Sequence, residues 1–226
     1  MSCALVSGVL KHMRDYKGKL ITFEGAEGSG KSTQAGLLYG YLVSKKKRVM
    51  YVREPGGVRI SEAIRRVLLN VENKEMNDIC ETLLYMAARS QLVTEVIAPA
   101  LKKGTIVLCD RFLDSTIVYQ GLGCGVNVDF IKQVGKVVTQ SIKPDLTLLF
   151  DIEIKKGLFR KGKIKDRIEE RSLPYHSKVR RGYLELARQE PHRIKVIPVG
   201  KNKALDRSKE EIQEEVRKWV SPLVGV

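Results

Sequence analysis

The stretch Ile21 to Thr33 reads I-T-F-E-G-A-E-G-S-G-K-S-T. A short apolar run ends at Phe23, after which Gly25, Gly30, Lys31 and Ser32 fall on the spacing G-x-x-x-x-G-K-[ST]. The spacing has a mechanical reason: glycines let the backbone curl so that successive N–H groups point inward, and the following helix aims its positive dipole end at the same place. A nucleotide's phosphates fit such a cradle. Lys31 would reach the β- and γ-phosphates and the Ser32 hydroxyl would hold Mg²⁺. The expected phosphate-binding loop comprises Gly25, Ala26, Glu27, Gly28, Ser29, Gly30, Lys31, Ser32 and Thr33.

Beyond the loop, a helical stripe begins at Ser32 and carries Ala35, Leu38, Tyr39 and Leu42. Val49 to Val52 reads as a short buried strand that stops at R-E-P-G-G, Arg53 to Gly57. A second helical pattern follows Ser61, with Arg65 on a different face from Ala63, Ile64, Val67 and Leu68. A third is expected from about Cys80 to Leu101, broken near Pro99. Thr105 to Cys109 and Leu146 to Asp151 are further short apolar runs, Ser172 to Leu186 is helical, Arg193 to Val199 is the last strand, and Lys209 to Val220 closes the chain. Four or five such runs separated by helices predict an α/β fold with a parallel sheet covered on both faces. Ligands bind such sheets beyond the carboxyl ends of the strands. The glycine loop, R-E-P-G-G and Asp110-Arg111 therefore converge on one cleft.

The 226 residues predict one domain, here residues 18–226 behind an extension at 1–17. In that leader the apolar stretch precedes Lys11 and Arg14, the wrong order for a secretory signal. The formal net charge of +15 suits nucleic acid or an enzyme with polyphosphate ligands, and the 6% aromatic content with no nucleic-acid motif favours the second. Cys3, Cys80, Cys109 and Cys124 are scattered and form no C-x-x-C pair, which argues against a zinc site or disulfide framework and for a cytoplasmic location. No segment approaches eighteen consecutive apolar residues, so no membrane span is expected. Between Ile152 and Arg171, eight basic residues face four acidic ones. That run reads as a solvated helix face or as a basic flap over phosphates. Gly157 and Gly162, which weaken a continuous helix, favour a short lid at about 155–171.

Asp110 would offer a carboxylate near Ser32 for Mg²⁺, and Arg111 a planar fork for phosphate oxygens. Together Arg65, Arg89 and Arg111 are too many cations for one nucleotide, so two phosphate-bearing substrates are expected. Phosphoryl transfer to a monophosphate needs no strong general base, because the acceptor is already an anion near neutral pH.

These motifs resemble those of the thymidylate kinase family: the acidic loop Gly25 to Thr33, Arg53 to Gly57, Ala87 to Arg89, Asp110 to Gly121, Pro144 to Leu148, Asp166 to Glu169 and Gly182 to Ala187, in the family's order. The resemblance implies a three-layer P-loop kinase fold around a five-stranded parallel sheet, ATP and dTMP as substrates with Mg²⁺, a homodimer, and no nucleic-acid or membrane partner. It further implies that Glu27 accepts from the sugar 3′-hydroxyl, Tyr85 stacks on thymine and Arg89 donates to the base carbonyl. Arg65 and Arg111 match the clamps on the acceptor phosphate and Arg53 lies on the same substrate side. Ser115, Thr116 and Gln120 resemble the lining of the base pocket, and Tyr119 the ring that crowds C2′. The loop has no arginine at its variable positions, a pattern that goes with catalytic arginine in the flap. Arg160 matches that residue beside Lys31 and Arg111 as catalytic groups, although Lys161, Lys163 and Lys165 stand where arginine is more usual.

Overall fold

The computed structural model describes residues 16–162, 166–200 and 206–226. The leader 1–15, Lys163 and Lys165, and the side chain of Lys161 lie outside the described residues. Five strands, β1 (Leu20–Glu24), β2 (Val49–Arg53), β3 (Ile106–Asp110), β4 (Leu146–Asp151) and β5 (Ile194–Pro198), form a parallel sheet in the order β2-β3-β1-β4-β5. Alternate side chains point to opposite faces, as strand geometry dictates. On one face Ile21, Phe23, Leu108, Leu148 and Phe150 pack with Leu38, Val216 and Val220 of helices α1 (Lys31–Ser44) and α9 (Lys209–Val224). On the other, Leu20, Val107 and Cys109 pack with Leu92, Val93 and Ile97. That makes three layers. β1 sits where the chain reverses its direction of winding, so the loop after it opens into the crevice between β3 and β4.

The helix after the loop begins at Lys31, one residue before the expected start, with Gly30 at φ 87° as its N-cap. α2 is Arg59–Leu69 and α3 Asp78–Leu92, capped by the Asn77 side chain on Cys80 N. The expected break at Pro99 is displaced. A π-helical stretch, Val93–Ile97, runs into α4 (Ala98–Lys102), and the proline occupies the first turn of α4. Pro99 has no N–H for the carbonyl four residues back and its ring crowds that carbonyl, so the turn before it widens and the helix continues. Segments that gave no helical signal are helical too: α5 (Leu113–Thr116), the π-helical Ile117–Gly123, and α6 (Val128–Val138), capped by Asn127 on Phe130 N.

The lid segment contains α7 (Ile154–Lys161), ended by Gly162 at φ 82°. α8 (Leu173–Gln189) is capped by Ser172 and packs Val179, Tyr183 and Leu186 against Val118, Tyr119 and Leu149. α9 runs past the expected end at Val220 to Val224, through Pro222. Tyr16, assigned to the extension, packs against the Leu92 cluster, and Gly18 N donates to Leu101 O at 2.9 Å.

Candidate active site

At the carboxyl edge of the sheet lies a cavity of about 440 Å³. Its walls include the loop from Glu27 to Thr33, the arginines Arg53, Arg65, Arg89 and Arg111, and Tyr85, Asp110, Ser115, Thr116, Tyr119 and Gln120. Of the expected site residues, Gly25 and Ala26 lie beneath that surface and Arg160 lies outside it.

On the loop side, Lys31 Nζ donates to Gly25 O at 3.1 Å and Ala26 O at 3.0 Å. Burial, with the Arg111 charge next, pulls the Lys31 ammonium down to about 8. Ser32 Oγ donates to Asp110 Oδ2 at 2.5 Å. Asp110 is the last residue of β3, in register with Phe23 of β1 and Arg53 of β2, so the ladder itself sets its carboxylate beside the loop. Tyr51 OH also donates to Asp110 Oδ2, at 3.3 Å. Among the described residues no three His, Cys, Asp or Glu side chains gather as a metal cage. Ser32 and Asp110 instead make a two-oxygen edge of the kind Mg²⁺ takes when phosphate and water complete its shell.

Arg111 is the hub of the other side. Its Nη2 donates to Glu27 Oε1 at 2.5 Å and Tyr119 OH at 3.1 Å, and its Nη1 to Gly25 O at 3.2 Å and Ser115 Oγ at 3.2 Å. Its guanidinium lies 4.9 Å from the Tyr119 ring centroid. The backbone there is left-handed, φ 71°, an arrangement that costs about 1–2 kcal/mol for a side-chain-bearing residue. Tyr119 OH also donates to Glu27 Oε1, at 3.0 Å. Beneath them Glu24, fully buried, accepts from Phe112 N, Ser115 Oγ and Tyr183 OH, and burial followed by the Asp114 charge raises its carboxyl above the usual range.

Arg89 is buried as well. Its Nε donates to Glu54 Oε2 at 2.7 Å and its Nη2 to Phe112 O at 3.0 Å, while Nη1, among the described residues, meets only Met86 Sδ, at 3.4 Å. Burial pushes Glu54 up to about 7 despite the arginine beside it, and its Oε1 has no hydrogen-bond partner among the described residues. Arg65 Nη1 donates to Pro55 O at 2.8 Å, and Arg53 pairs with Glu62 at 2.9 Å. Tyr85 is half-buried on the same face of α3 as Arg89, and Thr116 Oγ1 is buried without a hydrogen-bond partner among the described residues.

The lid and the loop touch through backbone. A Cβ on Gly157 would sit 2.3 Å from Glu27 O, and one on Gly28 would sit 2.0 Å from Gly157 O. Gly157 therefore lies inside α7 and serves close approach, whereas the sequence reading took it to weaken the helix. Gly157→Ala is expected to push lid and loop apart and lower kcat at least tenfold with little change in Tm, since misplacement by about 1 Å can cost about 100-fold. Steady-state kinetics beside a thermal melt check it. Arg160 approaches Gly28 O at 3.4 Å and is held by Asp206 Oδ2 at 2.6 Å, a carboxylate that Lys156 also reaches at 3.3 Å.

Sequence reasoning gave no role to Tyr51, Glu54, Leu69, Asp166, Ile168 or Glu169, all of which line the cavity. Tyr51 had a usable signal, since a tyrosine in a strand two residues from R-E-P points its hydroxyl toward the same edge as the loop. Glu54 lay within R-E-P-G-G, but nothing signalled its pairing, because its arginine partner is 35 residues away.

A family model described as thymidylate kinase matches residues 23–214. The thymidylate kinase of Symbiobacterium thermophilum is 45% identical over 205 residues, 90% of this chain and 93% of its own. That of Pelobacter propionicus is 48% identical over 185 residues, 78% of this chain and 84% of its own. Among solved structures, thymidylate kinase from Ehrlichia chaffeensis is similar at a TM-score of 0.75 and 32% identity, covering 90% of this chain and 98% of that one.

Proposed function

The chain belongs to the thymidylate kinase family, whose reaction is phosphoryl transfer from ATP to dTMP, and we propose that the cavity seats both substrates at once. ATP takes the Lys31 side, and dTMP takes the side walled by α3 and the Leu113–Gly123 segment. The carrying observation is the continuity of the wall, in which Lys31, Ser32 and Asp110 share one cavity with Arg65, Tyr85, Arg89 and Arg111. A cavity for ATP alone has no use for the second group.

Within that cavity the acceptor phosphate lies against Arg53, Arg65 and Arg111, and the thymine ring against Tyr85. Arg89, Ser115, Thr116 and Gln120 face the base, Tyr119 lies against C2′, and Glu27 accepts from the 3′-hydroxyl. Lys31 and Arg111 neutralise charge on the transferring group from the cavity wall, with Arg160 as the third cation from the lid outside that wall, and catalysis rests on in-line placement and that neutralisation. Mg²⁺ fits Ser32 and Asp110, where it would offset phosphate charge when bound.

A homodimer is supported by apolar side chains left exposed on the paired helices α2 and α3, Ile60 and Val67 on one and Ile79 and Leu83 on the other. Free thiols at Cys80, Cys109 and Cys124 suit the cytoplasm, and among the described residues no helix is long and apolar enough to cross a membrane.

An ADP-release assay over a panel of monophosphates tests the reading. dTMP is expected to be the best acceptor, with dUMP slower by roughly 10- to 200-fold because one methyl group in a pocket supplies no more discrimination than that. Turnover driven by DNA, or by a purine monophosphate above dTMP, would overturn it.

A further inference from the structure

Glu81, on α3, has no part in the chemistry above, yet it is fully buried. Its Oε1 accepts from Gln120 Nε2 at 2.8 Å. Its Oε2 accepts from Arg171 Nη2 at 2.7 Å and lies 2.6 Å from Arg167 Nη2, the latter an ion pair without hydrogen-bond geometry. Two segments distant in sequence, one with Gln120 and one with Arg167 and Arg171, thus meet on one carboxylate of α3.

We propose that Glu81 is a positioning residue that sets base choice, by fixing the Gln120 side-chain amide so that an acceptor faces the pyrimidine edge. A carboxylate can only accept, so the amide nitrogen must turn toward it. Gln120 is buried and lines the cavity, and its Oε1 receives no hydrogen bond among the described residues. Thymine and uracil present an N–H at N3 and a carbonyl at C4. Cytosine presents a lone pair and an amino group at the same positions. The fixed Oε1 matches the N3–H, and the Arg89 Nη1 donors, which among the described residues are held only by Met86 Sδ, match the C4 carbonyl. Cytosine reverses both pairings and leaves buried polar groups facing like groups. Without Glu81 the Gln120 amide turns over freely and serves either base.

The inference rests on the placement of the base against Thr116 and Gln120. The measurement is the ratio of kcat/KM for dTMP to that for dCMP. Glu81→Gln, which can offer either a donor or an acceptor to Gln120, is expected to lower the ratio about tenfold or more. The swap Glu81→Gln with Gln120→Glu restores a donor facing an acceptor and leaves a carboxylate oxygen toward the base, so the ratio returns to within about threefold of the parent. Arg171→Gln removes the Oε2 partner of Glu81, with its contacts to Cys124, Asp78 and Tyr175, but leaves the Oε1 bond to Gln120 in place, and is expected to leave the ratio unchanged. A folded Glu81→Gln enzyme with the parental ratio, or an Arg171→Gln enzyme whose ratio falls equally, overturns the proposal. Should Glu81→Gln not fold, the swap is read against Gln120→Met. A swap ratio near the parent's supports the proposal, and one as low as in Gln120→Met contradicts it. If Gln120→Met itself keeps the parental ratio in a folded enzyme, the placement of the base is what fails.

Discussion

Replacing Arg111 by lysine is expected to lower kcat/KM for dTMP by about 1,000-fold or more, a loss near 4 kcal/mol in transition-state stabilisation. The charge survives the change and the geometry does not. One guanidinium reaches Glu27, Tyr119, Ser115 and the Gly25 carbonyl, and a lysine ammonium has neither the planar fork nor the reach to bridge them. Glu27 Oε1 would lose the guanidinium hydrogen bond, and the proposed clamp on the acceptor phosphate would lose its fork. Because Arg111 is bonded to Glu27 and Tyr119 on the proposed acceptor side and to the Gly25 carbonyl of the loop, kcat and the KM for dTMP are both expected to suffer. Steady-state kinetics with each substrate varied check this, and a loss under tenfold would remove Arg111 from the centre of the site.

Arg89→Met carries the largest expected loss of stability, about 3–5 kcal/mol. The substitution leaves Glu54 buried without its partner and the Phe112 carbonyl without its donor. For a chain of this size the melting temperature should fall by roughly 10 °C. The deficit has a pH signature with a definite sign. Glu54 already titrates near 7 in the fold, above the ordinary 4.5, and loss of Arg89 raises it further. An acid with a raised folded pKa loses stability as pH rises from its unfolded value through its folded one. The variant should therefore be closer to the parent at pH 5 than at pH 8. Adding Glu54→Gln should narrow the gap at pH 8, and thermal melts at the two pH values measure it.

The features legible in the sequence were those encoded by near neighbours. The glycine loop, R-E-P-G-G and the strand ends at Asp110 and Asp151 each announce themselves within a dozen residues, and the rules of parallel sheets bring them to one edge. The helical course of residues 113–123 did not show, because I-V-Y-Q-G-L-G is β-branched and glycine-rich and its turn is wider than the usual period. Partnerships across the chain were equally silent. Nothing near Arg89 names Glu54, nothing near Arg160 names Asp206, and nothing near Gln120 names Glu81. Gly157 was misread because a close backbone approach and a weakened helix use the same residue.

The central claim is that Ile21 to Thr33 serves two substrates, with Lys31 toward ATP and Glu27 toward the acceptor sugar. Glu27→Gln divides the two. Loss of one charge-assisted hydrogen bond predicts a KM for dTMP raised about 10- to 100-fold and a KM for ATP within about twofold of the parent. Equal rises in the two KM values would contradict the account.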